Sequence, residues 1–272
     1  MGADMKIGIL GCAGRMGRML IAQVLKTDGA ELSGGVDRED SPYLGEDLAA
    51  LVGSPDCGIV ASADAAAMFE ASDAVIDFTL PQATIGNAGL AAKTGTALVI
   101  GTTGLGSGEQ NAVDEAAKAT AVVQAANFSV GVNLLLGLGE QVASILQNDY
   151  DIEIVEMHHR HKVDAPSGTA LALGKAVAKG RGVDLEQVSE RVRDGHTGAR
   201  TAGDIGFATL RGGDVVGEHT IIFATDGERI ELTHKASSRA VFAKGAVRAA
   251  MWTKDKNPGM YDLSDVIGLV RS

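Results

Sequence analysis

The sequence predicts an α/β protein in two domains: a Rossmann-type, doubly wound parallel sheet, followed by an α+β domain with an open mixed or antiparallel sheet. Two observations predict this arrangement. Between residues 6 and 126, short apolar runs alternate with helical patterns, as in a parallel sheet covered on both faces. Between residues 205 and 235, β-rich runs follow one another across short glycine-containing turns, as in antiparallel strands. We place the first domain at 1–129, completed by 240–272, and the second at 130–239.

The chain opens with a glycine turn between a strand and a helix. Residues 6–10 (KIGIL) form the predicted strand, and residues 11–17 (GCAGRMG) lead into a helix with Leu20 and Val24 on one face. This order is typical of a dinucleotide-binding domain, in which the pyrophosphate lies on the helix N-terminus. The spacing is G-x-x-G-x-x-G rather than G-x-G-x-x-G, so a purely structural glycine turn is a competing interpretation.

An acid and a base follow the second predicted strand, at residues 31–36. Asp37 is placed to hydrogen-bond the ribose hydroxyls of NAD, and Arg38 to accommodate the 2′-phosphate of NADP. Together they favour use of either cofactor. A surface turn that happens to carry one acid and one base would look the same and is about as common.

The alternation of strands and helices continues to residue 129. Predicted strands lie at 58–61, 74–79, 97–100 and 121–126, with helices at 64–71, after Pro81, and at 108–118. Ligands of such sheets bind at the carboxyl ends of the strands. Three polar or glycine-rich turns fall there, at 11–17, 101–104 and 125–128.

A cationic turn organises the second half of the chain. Residues 156–170 read EMHHRHKVDAPSGTA, between a predicted strand at 151–157 and a helix that Ser167 would cap. A helix N-terminus attracts anions, Gly168 permits close approach to the backbone, and Thr169 adds a hydroxyl. The stretch therefore suits a small carboxylate or phosphate that must be held and protonated. A solvated loop with satisfied histidines is the alternative, and the clustering of five cationic or imidazole groups disfavours it.

The remaining runs complete the second domain and return to the first. A long helix is predicted at 130–146, and β-rich runs at 205–210, 215–225 and 229–235 are joined by Gly-Gly-Asp and Asp-Gly-Glu turns typical of neighbouring antiparallel strands. An open sheet of this kind often pairs with a copy of itself, which predicts a homo-oligomer. A helix at 239–253 and a closing element at 263–270 should rejoin the first domain.

Composition limits the function classes. The net charge of −11, without an extended basic patch, disfavours nucleic-acid binding. Two cysteines without metal-ligand spacing predict neither a disulfide framework nor a metal site. We expect no leader peptide and no apolar run of spanning length, because Glu140 interrupts the most apolar helix, near 134–146. We therefore expect a cytoplasmic protein without a membrane partner.

Several motifs together resemble the dihydrodipicolinate reductase family, also called 4-hydroxy-tetrahydrodipicolinate reductases. They are GCAGRMGRM, VIDFT, VIGTTG, AANFSVGVN, HHRHKVDAPSGTA, GFATLRGGDVVGEHT and THKASSR, and they cover nearly the whole chain. The HHRHKVDAPSGTA run is highly specific, whereas the glycine turn is not. The family reduces a cyclic dicarboxylate with NADH or NADPH and releases water, in the diaminopimelate route to lysine, and is typically a tetramer formed by pairing the sheets of the second domain.

The resemblance implies a role for particular residues. His158 would be the general acid/base, Lys162 the proton donor, and His159 a substrate contact, while Gly168 and Thr169 would bind a substrate carboxylate. The residues implied in cofactor binding are Gly11, Cys12, Ala13, Gly14, Arg15, Met16, Asp37, Arg38, Gly101, Thr102, Thr103, Ala125, Ala126, Asn127 and Phe128. Family members often carry Glu where this chain has Asp37, and the shorter side chain would tilt preference towards NADPH through Arg38.

Three other functions compete with this interpretation. Another NAD(P)-dependent reductase of a small carboxylate would share the first domain, but it does not account for the cationic turn. A non-enzymatic NAD(P)-binding regulator needs no proton donors beside a carboxylate site. A metal hydrolase using His158, His159 and His161 is disfavoured, because adjacent strand residues point to opposite faces and no paired acid completes a usual ligand set.

Overall fold

The computed structural model describes residues 3–269. Within that range the chain forms two compact units, one of residues 3–129 with 240–268 and the other of residues 130–239 with 269. The strands are β1 (Met5–Leu10), β2 (Ala30–Val36), β3 (Ala61–Ser62), β4 (Ala74–Asp77), β5 (Ala97–Ile100), β6 (Ala121–Gln124), β7 (Asp151–His158), β8 (Ser189–Glu190), β9 (Ile205–Arg211), β10 (Gly217–Thr225), β11 (Glu228–Ala236) and β12 (Gly259–Tyr261). The α-helices are α1 (Arg15–Val24), α2 (Ala65–Ala71), α3 (Pro81–Thr94), α4 (Ser107–Ala116), α5 (Val130–Leu146), α6 (Gly168–Arg181), α7 (Leu185–Val188), α8 (Ala240–Trp252) and α9 (Leu263–Ile267).

The first unit is a doubly wound parallel sheet, as predicted. Its strands follow the order β12-β6-β5-β4-β1-β2-β3 and pair in parallel. Side chains of α1, α8 and α9 pack on one face of the sheet, and those of α2, α3 and α4 on the other. Because all strands point the same way, the carboxyl ends of β1, β4, β5 and β6 share one edge, where the three predicted turns lie.

Some predicted boundaries of the first unit were wrong. The strand expected at 58–61 is only Ala61–Ser62, since Gly58 adopts a φ of +79° and donates its N–H to Asp47, which holds the preceding segment in a loop. Strand β12 was not predicted, because three residues that start with glycine carry no measurable periodicity. The closing element expected at 263–270 is the short helix α9, and Val270 lies outside the described residues.

The second unit contains a mixed sheet in the order β11-β10-β7-β9-β8, which confirms the predicted class. Strand β7 pairs in parallel with β9 and antiparallel with β10, and β10 pairs antiparallel with β11. The turn at 226–227 joins neighbours, as predicted. The turn at 212–214 does not, because β7 lies between β9 and β10; a turn signal marks a reversal of the chain, not which strands pair.

The prediction that the chain has no apolar run of membrane-spanning length was wrong for helix α5. The segment Val130–Asp149 has the length and the mean hydropathy, 1.2, of a helix that could cross a membrane, although we had expected no such segment. In the folded unit, α5 packs closely on α6: a side chain at Gly180 would come within 2.2 Å of the Glu140 carbonyl oxygen. Glu140 also forms an ion pair with Lys179 of α6, at 2.6 Å. Glu140, which interrupts the apolar run, is therefore paired with a residue of the same unit.

Candidate active site

The central strand of the mixed sheet changes from apolar to ionisable along one face. Ile152, Ile154, Glu156 and His158 alternate with more exposed residues and are all buried. Side chains two residues apart lie on the same face of a strand, so Glu156 and His158 continue the row that begins with the two isoleucines. The turn after β9 closes the end of β7, where Gly212 N–H donates to the His158 carbonyl oxygen over 2.9 Å.

Glu156 is the most heavily contacted carboxylate of this end of the sheet. Only 1% of its surface is exposed. Arg211 donates two hydrogen bonds to it, Nη1 to Oε2 over 2.8 Å and Nη2 to Oε1 over 2.9 Å. The Ser167 backbone N–H donates to Oε1 over 3.0 Å, and Oε2 lies 2.5 Å from Nδ1 of His158. Three groups from three elements thus make four contacts with one buried carboxylate.

These contacts decide which groups are charged. Burial alone would raise the pKa of the Glu156 carboxyl, but Arg211, His158 and the Ser167 N–H hold it below its usual value. Burial lowers the pKa of His158 below its usual value, and the Glu156 carboxylate offsets this only in part. At neutral pH the pair is therefore a carboxylate beside a neutral imidazole.

Lys162 lies on the loop that joins β7 to α6. Its ammonium forms an ion pair with Asp164 over 2.7 Å, and the ammonium keeps the pKa of Asp164 below its usual value. Arg211 also donates to the Asp164 carbonyl oxygen, over 2.7 Å, so one guanidinium holds both Glu156 and this loop. His159 is half-buried, and its ring centroid lies 6.2 Å from that of His161.

Helix α6 begins at the predicted position. Ser167 is the N-cap, and its Oγ accepts a hydrogen bond from Ala170 N–H over 3.1 Å. The same Oγ lies 3.2 Å from Nε2 of His219, whose pKa burial lowers to about 4. Gly168 is exposed, and apart from adjacent residues and its own helix backbone no described atom lies within 4 Å of where its side chain would be. The helix start is therefore open to a ligand at Gly168 and backed by a neutral histidine.

The structure adds three residues to this site that the sequence analysis did not single out: Glu156, Arg211 and His219. Glu156 carried a signal, since it lies two residues before His158 on a predicted strand and must share its face. Arg211 and His219 lie 53 and 61 positions further along the chain than His158. Both residues lie beside His158 because β7 pairs with β9 on one side and with β10 on the other. No local pattern in the sequence indicates this pairing.

At the carboxyl edge of the parallel sheet, the glycine turn closes tightly onto α1. Gly11 adopts a φ of +66°, and Gly14 N–H donates to the Gly11 carbonyl oxygen over 3.0 Å. A side chain at Gly17 would come within 2.1 Å of that same oxygen. Gly14 is the N-cap, and no side chain of the described residues makes a capping hydrogen bond there. The backbone N–H groups of Arg15 and Met16 thus lie at the start of a helix whose N-cap carries no side chain. Ala13, next to them in the turn, is half-buried.

A buried acid ties the next two strand ends together. Asp77, fully buried at the end of β4, accepts hydrogen bonds from the Thr79 hydroxyl (2.6 Å), the Thr102 hydroxyl (3.2 Å) and the Asn87 amide (2.8 Å). In the sequence this residue belongs to the VIDFT motif. Its partners place Thr102 with its hydroxyl turned inward, so that Thr102 offers only its backbone to a ligand.

Two phenylalanines pack beside the remaining turns. A side chain at Gly101 would come within 2.3 Å of the Phe78 ring, whose centroid lies 5.4 Å from that of Phe128. Ala125 N–H donates to the Ile100 carbonyl oxygen over 3.1 Å, which brings residues 125–128 to the same edge. Thr103 and Ala126 are exposed there and Asn127 is half-buried. Phe128 is buried, as is Cys12 in the first turn, so their side chains belong to the core.

Asp37 and Arg38 lie at the end of β2, on the same edge. The Asp37 carboxylate accepts from Arg38 N–H over 2.9 Å and from the Ser41 hydroxyl over 3.1 Å. Arg38 is exposed and lies 3.6 Å from Asp40. Among residues 3–269, no three His, Cys, Asp or Glu side chains are arranged to hold a metal ion.

Comparison with known proteins covers both units. Residues 5–128 match the family model described as dihydrodipicolinate reductase, N-terminus, and residues 131–267 match the model of its C-terminus. The 4-hydroxy-tetrahydrodipicolinate reductase of Parvibaculum lavamentivorans is 54% identical, over 99% of this chain and 100% of that protein. The protein of the same name from a Ruegeria species is 54% identical, over 97% of this chain and 98% of that protein.

A solved structure shares the fold. It is a dihydrodipicolinate reductase from Paenisporosarcina sp. TG-14, with dipicolinate bound. It matches with a TM-score of 0.75 and 22% identity, over 95% of this chain and 97% of that one.

Proposed function

The chain belongs to the dihydrodipicolinate reductase family, and we propose that it reduces 4-hydroxy-tetrahydrodipicolinate to tetrahydrodipicolinate, with release of water, at the expense of NADH or NADPH. The observation that carries the proposal is the cluster at the end of β7, where a neutral His158 and a cationic Lys162 lie on the segment that leads into an open helix N-terminus. This arrangement combines proton exchange with anion binding. The product would enter the diaminopimelate route to lysine.

The first unit fits a dinucleotide. At the glycine turn, side chains at Gly11 and Gly14 would come within 3.1 to 3.2 Å of neighbouring atoms, so these positions keep the backbone at the start of α1 bare. We assign the pyrophosphate to Gly11, Cys12, Ala13, Gly14, Arg15 and Met16, mainly through backbone N–H groups. The nicotinamide, when bound, supplies the hydride; Gly101, Thr102, Thr103 and the segment 125–128 would hold that half of the cofactor. Asp37 and Arg38 would contact the adenosine ribose or its phosphate.

The start of α6 is assigned to a substrate carboxylate. Its N–H groups carry a partial positive charge, the exposed Gly168 leaves room for the ligand, and the half-buried Thr169 adds a hydroxyl. The Paenisporosarcina relative was solved with dipicolinate, a planar dicarboxylate, which supports this class of ligand. His159, one residue beyond β7, would contact the same substrate.

Proton transfer divides between two residues. Hydride addition to a conjugated C=C–C=N system leaves negative charge that a proton must neutralise. Lys162 carries that proton as an ammonium, which forms an ion pair with Asp164. His158 is neutral and exchanges protons at Nε2, next to Gly217, where a side chain would come within 3.1 Å of that nitrogen. Release of the hydroxyl as water also requires proton exchange, which His158 can mediate.

A coupled assay tests the proposal. Substrate made freshly from aspartate semialdehyde and pyruvate by the preceding synthase is mixed with the enzyme, and nicotinamide absorbance is followed with NADH and with NADPH. We expect His158→Gln and Lys162→Ala to lower kcat roughly 100-fold or more with cofactor binding intact. Lys179→Ala, which removes a lysine from an ion pair on α6, is the matched control and should retain activity.

Two outcomes would contradict the proposal. Wild-type protein that binds either cofactor but leaves the substrate unreduced would favour a nucleotide-binding regulator. Turnover of other small carboxylates, in preference to this substrate, would favour a different reductase.

Assembly and location are further expectations of the proposal. We expect a homotetramer formed through the face of the mixed sheet that bears Val155, Leu210 and Ile222, because these apolar side chains are only partly covered within the chain. Light scattering after size exclusion measures its mass. We also expect the enzyme in the cytoplasm, where fractionation would find it.

A further inference from the structure

The hydrogen bonds at Glu156 determine which nitrogen of His158 carries a proton. Arg211 and the Ser167 backbone supply N–H groups that can only donate. Glu156 is ionised and can only accept. Because its Oε2 lies 2.5 Å from Nδ1 of His158, that nitrogen must carry the proton; an unprotonated Nδ1 would set two lone pairs against each other. The neutral ring then has its lone pair on Nε2.

The same carboxylate also anchors the other functional groups of this site. Its partner Arg211 holds the Asp164 carbonyl oxygen and so fixes the loop that carries Lys162. Its second oxygen holds the backbone of Ser167, the N-cap of α6. One buried ion pair therefore sets the orientation of the His158 ring, the position of the lysine loop and the start of the carboxylate-binding helix.

We propose that Glu156 is a positioning residue for proton transfer at His158. It holds the ring as its Nδ1–H tautomer, presents Nε2 for the substrate, and stabilises the positive charge when Nε2 takes up a proton. Arg211 in turn keeps Glu156 ionised and in place. The inference rests on the proposed function, since it concerns the step assigned to His158.

A purely structural role for Glu156 would need only the ion pair with Arg211. Strand β7 contains such a carboxylate already. Glu153, on the opposite face, binds Arg193 through two bonds of 2.8 Å and Arg200 through one of 3.0 Å. Within residues 3–269 its carboxylate is paired with these two arginines and with no histidine. Glu153→Gln is therefore a matched control: it removes the charge of a paired glutamate from the same strand and leaves His158 untouched.

The first measurement is the ¹⁵N spectrum of the histidine rings at pH 7.5, with His158→Gln used to assign the signal of His158. In the wild type we expect a protonated Nδ1 and an unprotonated Nε2. Glu156→Gln presents an amide that can donate to Nδ1, so the Nδ1–H form should lose its dominance. Glu153→Gln should leave the spectrum of His158 unchanged.

The second measurement is the pH dependence of kcat. Four groups surround the His158 ring: Glu156 on its own strand, Arg211 on β9, His219 on β10 with its ring centroid 5.0 Å away, and Lys162 on the following loop. Only Glu156 favours the charged ring. Glu156→Gln should therefore move the acidic limb of the profile to lower pH and lower kcat roughly 10- to 1,000-fold, with KM changed far less. Glu156→Asp keeps the charge and should recover part of the loss.

The outcomes separate this inference from the proposed function. A wild-type His158 protonated on Nε2 overturns the inference, as does a Glu156→Gln enzyme with the kcat and pH profile of Glu153→Gln. If Glu156→Gln does not fold, the wild-type spectrum and Glu156→Asp still decide. Wild-type protein without turnover overturns the proposed function, while the ¹⁵N spectrum continues to test the tautomer.

Discussion

Substitution of Gly17 by alanine tests how closely the glycine turn must approach α1. A β-carbon there would lie 2.1 Å from the Gly11 carbonyl oxygen and 2.6 Å from that of Cys12. Such contacts normally begin near 3.0 Å, so the helix and the turn must separate by about 0.9 Å. Both oxygens belong to the backbone, and no rotamer change can relieve the contact.

The stability cost follows from two opposing effects. Overpacking costs about 1–3 kcal/mol, while replacing a helical glycine by alanine contributes about 0.5–1 kcal/mol in the other direction. We expect Gly17→Ala to lose about 1–2 kcal/mol and several degrees of the unfolding midpoint. The displaced N–H groups should also weaken binding of NADH and NADPH roughly tenfold, which corresponds to one charge-assisted hydrogen bond.

Urea unfolding and a fluorescence titration of the cofactor measure the two effects. Gly89→Ala in α3 is the matched control. Apart from adjacent residues and its own helix backbone, no described atom lies within 4 Å of its β-carbon position, so it should gain about 0.5–1 kcal/mol and bind normally. A Gly17→Ala protein as stable as Gly89→Ala, with wild-type affinity for both cofactors, would refute the reasoning.

Three further predictions concern buried and exposed charge. Asp77→Asn should lower the free energy of unfolding by about 2–3 kcal/mol, because an amide cannot accept from all three side-chain donors. Urea unfolding measures this, with Asp73→Asn, at the exposed residue just before the same strand, as a control that should change little. His219 has a pKa of about 4 when folded, so the unfolded chain binds more protons between about pH 6.5 and 4. Stability should fall as pH falls through that window, on the order of 2 kcal/mol by pH 5, and His219→Gln should remove this part of the loss, as thermal melts at several pH values will show. Arg38→Ala should weaken NADPH binding roughly tenfold and leave NADH binding nearly unchanged, by calorimetric titration.

Each of these has a result that would contradict it. Equal stability of the Asp77 and Asp73 variants would mean that the buried carboxylate does not hold the two strand ends. A parallel fall of stability with pH in His219→Gln and wild type would assign the loss to other groups. Equal weakening of both cofactors by Arg38→Ala would show that the guanidinium does not distinguish the phosphate.

Local patterns predicted the elements that local chemistry determines. The Ser167 cap and the start of α6 were correct, because an N-cap and its helix are neighbours in the chain. The predicted bounds of β5 were correct to the residue, because Gly101 directly follows the strand. The prediction that the turn at 212–214 joins neighbouring strands was wrong, because the pairing there depends on a distant segment. The strand that lies between β9 and β10, β7, ends 54 residues before Gly212.

What the sequence determined by itself is therefore the class of fold, the glycine turn, the cationic segment and the open helix N-terminus that follows it. Backbone freedom, apolar periodicity and capping act over a few residues and can be read from consecutive positions. Only the tertiary structure decided that β7 lies between β9 and β10, and hence that Arg211 and His219 surround Glu156 and His158. Strand pairing is chosen by contacts between distant segments, and the protonation of a buried histidine is decided by the groups that those contacts bring to it.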